Sequence, residues 1–154
     1  MIKVMFVCLG NICRSPMAEF VLKDMVKKQG LEKEFYIKSS ATSSEEIGND
    51  IHYGTRDKLI QKGIAFEKRK AIKLKAEDYK KYDYIIGMEE SNIRNIKIIL
   101  GEDYDNKVYR LLDFSNNPRD IADPWYTGNF EITYNDIVEG CRVFLKYLEK
   151  LEII

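Results

Sequence analysis

Apolar positions along this chain follow two periods, one of strands and one of helices. Val4 to Val7 is a short, continuous run of β-branched, sulfur-containing and aromatic side chains, which predicts a buried strand. Ala18, Val21, Leu22, Met25 and Val26 then recur at i, i+3, i+4, i+7 and i+8, one stripe on a helix, with Gly30 placed to stop it. Phe35 to Lys38 reads as a second strand and Ser39 to Ser44 as a polar, solvated turn. Tyr53 to Lys62 predicts a helix ended by Gly63, and the basic run Glu67 to Lys75 reads as a solvated face. Tyr82 to Met88 is the strongest later strand. Asn92 caps a helix carrying Ile93, Ile96, Ile99 and Leu100 and stopped by Gly101, and Val108 to Leu112 is the fourth strand. Asp113 to Asn129 is a long loop rich in Asn, Asp, Pro and Gly, a length that in compact domains marks function or disorder. Ile137, Val138, Cys141, Phe144, Leu145, Leu148 and Leu151 trace a long closing helix, with Cys141 as a small buried hydrophobe.

Four strands alternating with helices predict an α/β fold, a parallel sheet covered on both faces. The length of 154 residues suits a single domain, taken as 1–154, with enough chain for a substantial core. No apolar run approaches the ~20 residues of a membrane span. The N-terminus enters a strand almost at once, so no signal peptide is expected and the cytoplasm is the expected compartment. Lys and Arg balance Asp and Glu at 25 each, which argues against a nucleic-acid or membrane-surface partner. Three cysteines form no disulfide framework, and no His or Cys cluster suggests a metal.

The chemistry concentrates in Lys3 to Ser15. The first strand runs into Cys8, then into a loop with Gly10 and Asn11, then into Arg14 and Ser15-Pro16, a helix-start signal with Ser as cap. A thiol at a strand end thus faces a helix N-terminus and a guanidinium. Free N–H groups and the helix dipole favour an anion there, and Arg14 adds a planar fork suited to phosphate oxygens. The same features favour the reactive thiolate at Cys8. A proton donor must come from downstream, and Asp113, Asp120 and Asp123 of the long loop are the candidates. Asp123 is preferred, since Pro124 restricts its backbone and Trp125-Tyr126 follow it. His52, the only histidine, reads as a surface residue at a helix start rather than a catalytic base.

The segment Cys8-Leu9-Gly10-Asn11-Ile12-Cys13-Arg14-Ser15-Pro16-Met17-Ala18-Glu19 resembles the signature of the low-molecular-weight protein tyrosine phosphatases. The likeness continues through Ser39 to Ser43, Gly63-Ile64, Tyr82 to Met88, Ser91-Asn92 and Asp123 to Tyr126, nearly the whole chain. The resemblance implies a sheet of order 2-1-3-4 and hydrolysis of phosphotyrosine proteins and small aryl phosphates through a cysteinyl-phosphate, by a monomer needing no cofactor or metal. It gives Cys8, Arg14 and Asp123 the catalytic roles. Leu9, Gly10, Asn11, Ile12, Cys13 and Ser15 form the phosphate loop, Ser39 supports it, and Ile12, Trp125 and Tyr126 wall the substrate pocket. It also implies that Cys13 can capture an oxidised Cys8 as a disulfide. Family members usually carry Tyr where this chain has Trp125. Many also carry a His and an Arg that buttress the site, in whose places Lys68 and Ala71 stand here, so that the buttress is absent or rebuilt. Phosphoarginine phosphatases resembling this family carry Thr at the position of Ile12. An arsenate reductase on the same fold would need two further cysteines, and residues 14–140 contain none.

Overall fold

The computed structural model describes all residues from Met1 to Ile154. In β1 (Ile2–Cys8) the side chains Val4 to Cys8 are all buried, so both faces of this strand must be covered. A strand in that position needs neighbours on each side and helices above and below. It pairs in parallel with β2 (Phe35–Ala41) and with β3 (Tyr84–Gly87), and β4 (Val108–Arg110) pairs with β3. The order β2-β1-β3-β4 is the expected one.

One face of the sheet is packed by α1 (Arg14–Lys28), α2 (Tyr53–Gln61) and α6 (Phe130–Lys150). There Met17, Val21 and Leu22, then Leu59, then Ile137, Phe144 and Leu148 close over Val4, Phe6 and Ile86. Each fully buried side chain of this size is worth about 1.5–3 kcal/mol over leaving it in water. The other face is smaller: Met5, Val7 and Ile85 pack with Leu74, Tyr82 and Ile96, the last from α4 (Glu90–Leu100). The short helices α3 (Asp78–Lys81) and α5 (Pro124–Thr127) complete the fold. No helix is long and apolar enough to cross a membrane.

Several boundaries differ from the sequence reading. The strand expected to end at Lys38 continues to Ala41, so Ser39 and Ser40 are buried strand residues and not part of a solvated turn. The basic run 67–75 is not a plain solvated face. It lies along the end of β2, where Ala41 N–H donates to Ile72 O and Leu74 N–H to Ala41 O, which buries Ala71 and Leu74. α1 begins at Arg14 with Cys13 as cap; Ser15 lies inside the first turn because its hydroxyl is engaged by the site. Pro16, still within that turn, costs no helical hydrogen bond. Asn92 is the third residue of α4 and shares a reciprocal cap with Glu89. The fourth strand stops at Arg110, where Leu111–Phe114 tighten into a 3₁₀ turn. Gly30, Gly63 and Gly101 do end helices, with φ of +72°, +68° and +83°.

Candidate active site

Cys8 is the last residue of β1 and Arg14 the first of α1, so Leu9 to Cys13 make the connecting loop. Asn11 takes φ +59°, a left-handed turn that a short polar side chain tolerates. The loop's carbonyls are engaged from outside. Cys8 O accepts from Thr42 N–H (3.0 Å), Leu9 O from Ser43 N–H (2.9 Å) and Ile12 O from His52 N–H (2.8 Å). Asn11 O accepts from Arg69 Nη2 (2.6 Å) and Cys13 O from Thr55 Oγ1 (3.2 Å). By contrast, the N–H groups of Gly10, Ile12, Cys13 and Arg14 have no acceptor within the chain. With the N-terminus of α1 they form an anion-binding concavity.

Cys8 Sγ sits at the base of this concavity, receiving Asn11 N–H (3.3 Å) and Ser15 N–H (3.4 Å), with Ser15 Oγ 3.1 Å away. The direction of that last hydrogen bond follows from groups that can only donate or only accept. Asn11 Oδ1 accepts from the Arg69 guanidinium (2.6 Å) and Ile72 N–H (3.1 Å), which turns the amide nitrogen inward. Asn11 Nδ2 then donates to Ser15 Oγ (2.8 Å) and Ser39 Oγ (2.9 Å), and the Ser39 hydroxyl donates to the Glu19 carboxylate (2.6 Å). Ser15 Oγ, already an acceptor, has its proton free for Cys8 Sγ. The alternative acceptor, Ser40 O, is at 3.5 Å.

Arg14 is 2% exposed although charged, and its partners explain how it can be. One guanidinium nitrogen bonds the Glu89 carboxylate and Ile121 O (2.9 Å), and the other bonds Asp123 Oδ2 (3.2 Å). Its Nε–H and one Nη2 hydrogen have no acceptor in the chain, leaving a two-donor edge of the kind that grips phosphate. Asp123 caps α5, its Oδ1 accepting Trp125 N–H (3.0 Å). The loop carrying it is pinned through Ile121 N–H to Met88 O (2.9 Å) and Thr133 Oγ1 to Ala122 O (2.9 Å). Asp113 and Asp120 are both held by Arg110 (3.0 Å each), and neither lines the pocket. Cys8, Leu9, Gly10, Ile12, Cys13, Arg14, Asp123, Trp125 and Tyr126 line one pocket, joined by Ser43, Glu45 and Glu46. Asn11, Ser15 and Ser39 lie buried behind it.

The family model of the low molecular weight phosphotyrosine protein phosphatases matches residues 3–152. The chain belongs to this family. The low molecular weight protein-tyrosine-phosphatase YfkJ of Bacillus subtilis is 40% identical over 152 residues, covering 97% of each chain. The crystal structure of YfkJ superposes with a TM-score of 0.94 over 97% of this chain and 96% of that one. SP-PTP, the low molecular weight protein tyrosine phosphatase of Streptococcus pyogenes, is 41% identical with a TM-score of 0.87, covering 99% and 98%. DARP, the Drosophila arginine phosphatase, is 30% identical with a TM-score of 0.86, covering 95% and 97%.

Within this low molecular weight phosphatase, four site residues escaped the sequence reading. Arg69, rather than Lys68 or Ala71, rebuilds the buttress: it bonds both oxygens of Asn11, while Ala71 packs beneath Ile12 and Cys13. Burial lowers the Arg69 pKa, and the charges of Glu19 and Asp50 oppose that shift. Glu19 terminates the hydrogen-bond chain and pairs with Lys23 (2.6 Å). Glu89 holds Arg14 from the cap of α4. His52 stands at the start of α2 as expected, but it is half-buried, its N–H binds the loop and its ring lies among aromatics. The sequence points to Asn92 as the cap of α4; the structure puts the cap one turn earlier at Glu89, whose carboxylate also reaches Arg14.

Proposed function

We propose that the protein hydrolyses phosphotyrosine in proteins, and small aryl phosphates, through a phosphoenzyme on Cys8. The observation that carries this reading is the convergence of three donors on Cys8 Sγ inside a loop whose free N–H groups face the same pocket as Arg14 and Asp123. The Cys8 thiolate attacks phosphorus, the P–O ester bond breaks, and the carboxyl group of Asp123 gives its proton to the departing oxygen. Arg14 and the loop N–H groups hold the equatorial oxygens, where charge is greatest in the transition state. Water then attacks phosphorus, its proton passes to Asp123, and the P–S bond breaks. Ser15, donating to the sulfur, stabilises the thiolate as it leaves. Trp125 and Tyr126, 57% and 77% exposed at the mouth, present flat apolar surface to an aromatic leaving group. Phosphotyrosine proteins are the partners this pocket suits, and a monomeric cytoplasmic enzyme remains the expectation.

Cys8→Ser is expected to bind inorganic phosphate and turn over no phosphotyrosine peptide. Acid-quenched wild-type enzyme is expected to carry a phosphoryl group on Cys8. Turnover by the Ser variant, or a phosphoryl group on another residue, would overturn the mechanism.

A further inference from the structure

His52 is the chain's one histidine, and the chemistry above makes no use of it. Its backbone N–H holds Ile12 O of the phosphate loop at 2.8 Å. Its Nδ1 accepts Gly54 N–H at 3.0 Å, capping α2, so the proton of the neutral ring sits on Nε2. The ring stacks on Tyr53 with centroids 4.3 Å apart and on Phe130 at 5.5 Å, nearly parallel at 11°. It meets Trp125 edge-on, 5.5 Å away at 74°. Phe130 in turn packs on Ile12, Cys13 and Ala71, so the stack runs from the loop's underside to the pocket mouth.

Trp125 lies against this stack. It lies on a four-residue helix, it is more than half exposed, and His52 is the one aromatic ring it touches. We propose that His52 is a positioning residue that braces Trp125 as a substrate wall and so sets the preference for aryl over alkyl phosphate esters. The proposal rests on the aryl-phosphate reading and adds the residue that orients its wall. Edge-to-face aromatic pairs give about a two- to tenfold effect when lost, and a phosphotyrosine ring would experience that loss as weaker binding.

Two substitutions separate the ring from the cap. His52→Asn keeps an acceptor for Gly54 N–H and removes the ring; His52→Phe keeps a ring and removes the acceptor. Because Trp125 is the only tryptophan, its fluorescence reports the wall directly. In His52→Asn the KM for a phosphotyrosine peptide is expected to rise about two- to tenfold with kcat unchanged. Inhibition by inorganic phosphate, which reads the loop alone, should stay at the wild-type level, and acrylamide should quench Trp125 more readily. His52→Phe should keep the wild-type KM and quenching at a lower Tm. Wild-type KM and quenching in His52→Asn would overturn the proposal, as would equal weakening of phosphate and peptide, or a His52→Phe variant as impaired as His52→Asn. If the wild-type enzyme left phosphotyrosine untouched, the aryl-phosphate reading would fall. The quenching comparison would still decide whether His52 braces Trp125.

Discussion

Cys13 lies five residues beyond Cys8 and lines the same pocket, yet burial, together with negative charge at Cys8 and Asp123, pushes its thiol up to about 12. The Arg14 charge and the neighbouring Thr55 hydroxyl offset only part of this. Cys141, enclosed on α6, is raised by burial as well. Both therefore remain neutral thiols at pH 7, while Cys8 has three donors aimed at its sulfur. Iodoacetamide at neutral pH is expected to alkylate Cys8 alone, with phosphate protecting it; peptide mapping that finds Cys13 modified equally would contradict this. Asp123 yields a second test. Asp123→Ala should slow a phosphotyrosine peptide by about 10²- to 10⁴-fold, and much less for an aryl phosphate whose phenoxide leaves unaided. Equal losses on both would assign Asp123 a structural role, that of capping α5. The residues of the loop were legible because they are contiguous and carry chemistry at a strand-to-helix junction. Glu19, Arg69, Glu89 and His52 were not, because each reaches the site from a different element, and no spacing in the sequence encodes that approach.

The elements themselves followed the apolar periods wherever burial alone decides structure, as in β1, α1 and α6. They departed from them where the site supplies polar partners in the interior. Ser39 can be a buried strand residue because Asn11 and Glu19 satisfy its hydroxyl, so composition misread that part of β2 as a turn. In the basic run 67–75 the lysines are exposed, as expected of a solvated face; the departures are Ala71 and Leu74, which are buried, and Arg69, half-buried against Asn11 and Asn49. At the start of α2 the constraint is steric. A Cβ on Gly54 would stand 2.3–2.7 Å from three atoms of the Phe130 ring. Gly54→Ala should therefore displace Phe130 from His52 and from the loop, costing about 1–3 kcal/mol. Thermal unfolding should show a clear drop in Tm together with a lower kcat/KM on phosphotyrosine. An unchanged Tm would mean that α2 shifts freely and does not brace the loop.

At the scale of the whole molecule, the strand order places β1 centrally, so its carboxyl end delivers Cys8 to the edge where open α/β sheets bind ligands. That placement serves any phosphoryl group, on oxygen or on nitrogen, and relatives on this fold include an enzyme named an arginine phosphatase. Selection must then come from the pocket wall. Ile12 lines the pocket although the residue is only 8% exposed and packed against Cys13, Ala71 and Phe130, and its side chain offers apolar surface and no hydrogen bond. A threonine there, as in the phosphoarginine phosphatases this family resembles, would offer a hydroxyl able to orient water toward a phosphoramidate. With Trp125 and Tyr126 as the aromatic part of the wall, this chain is suited to a flat phenoxide leaving group. Phosphotyrosine peptides should accordingly be hydrolysed far faster than matched phosphoarginine, phosphoserine or phosphothreonine peptides, judged by kcat/KM. Ile12→Thr should raise phosphoarginine turnover at the expense of phosphotyrosine, with some loss of stability because apolar contacts with Ala71 and Phe130 are given up. A wild-type preference for phosphoarginine would overturn the substrate assignment. An unchanged ratio in Ile12→Thr would move the source of specificity from the loop to the aromatic wall that His52 supports.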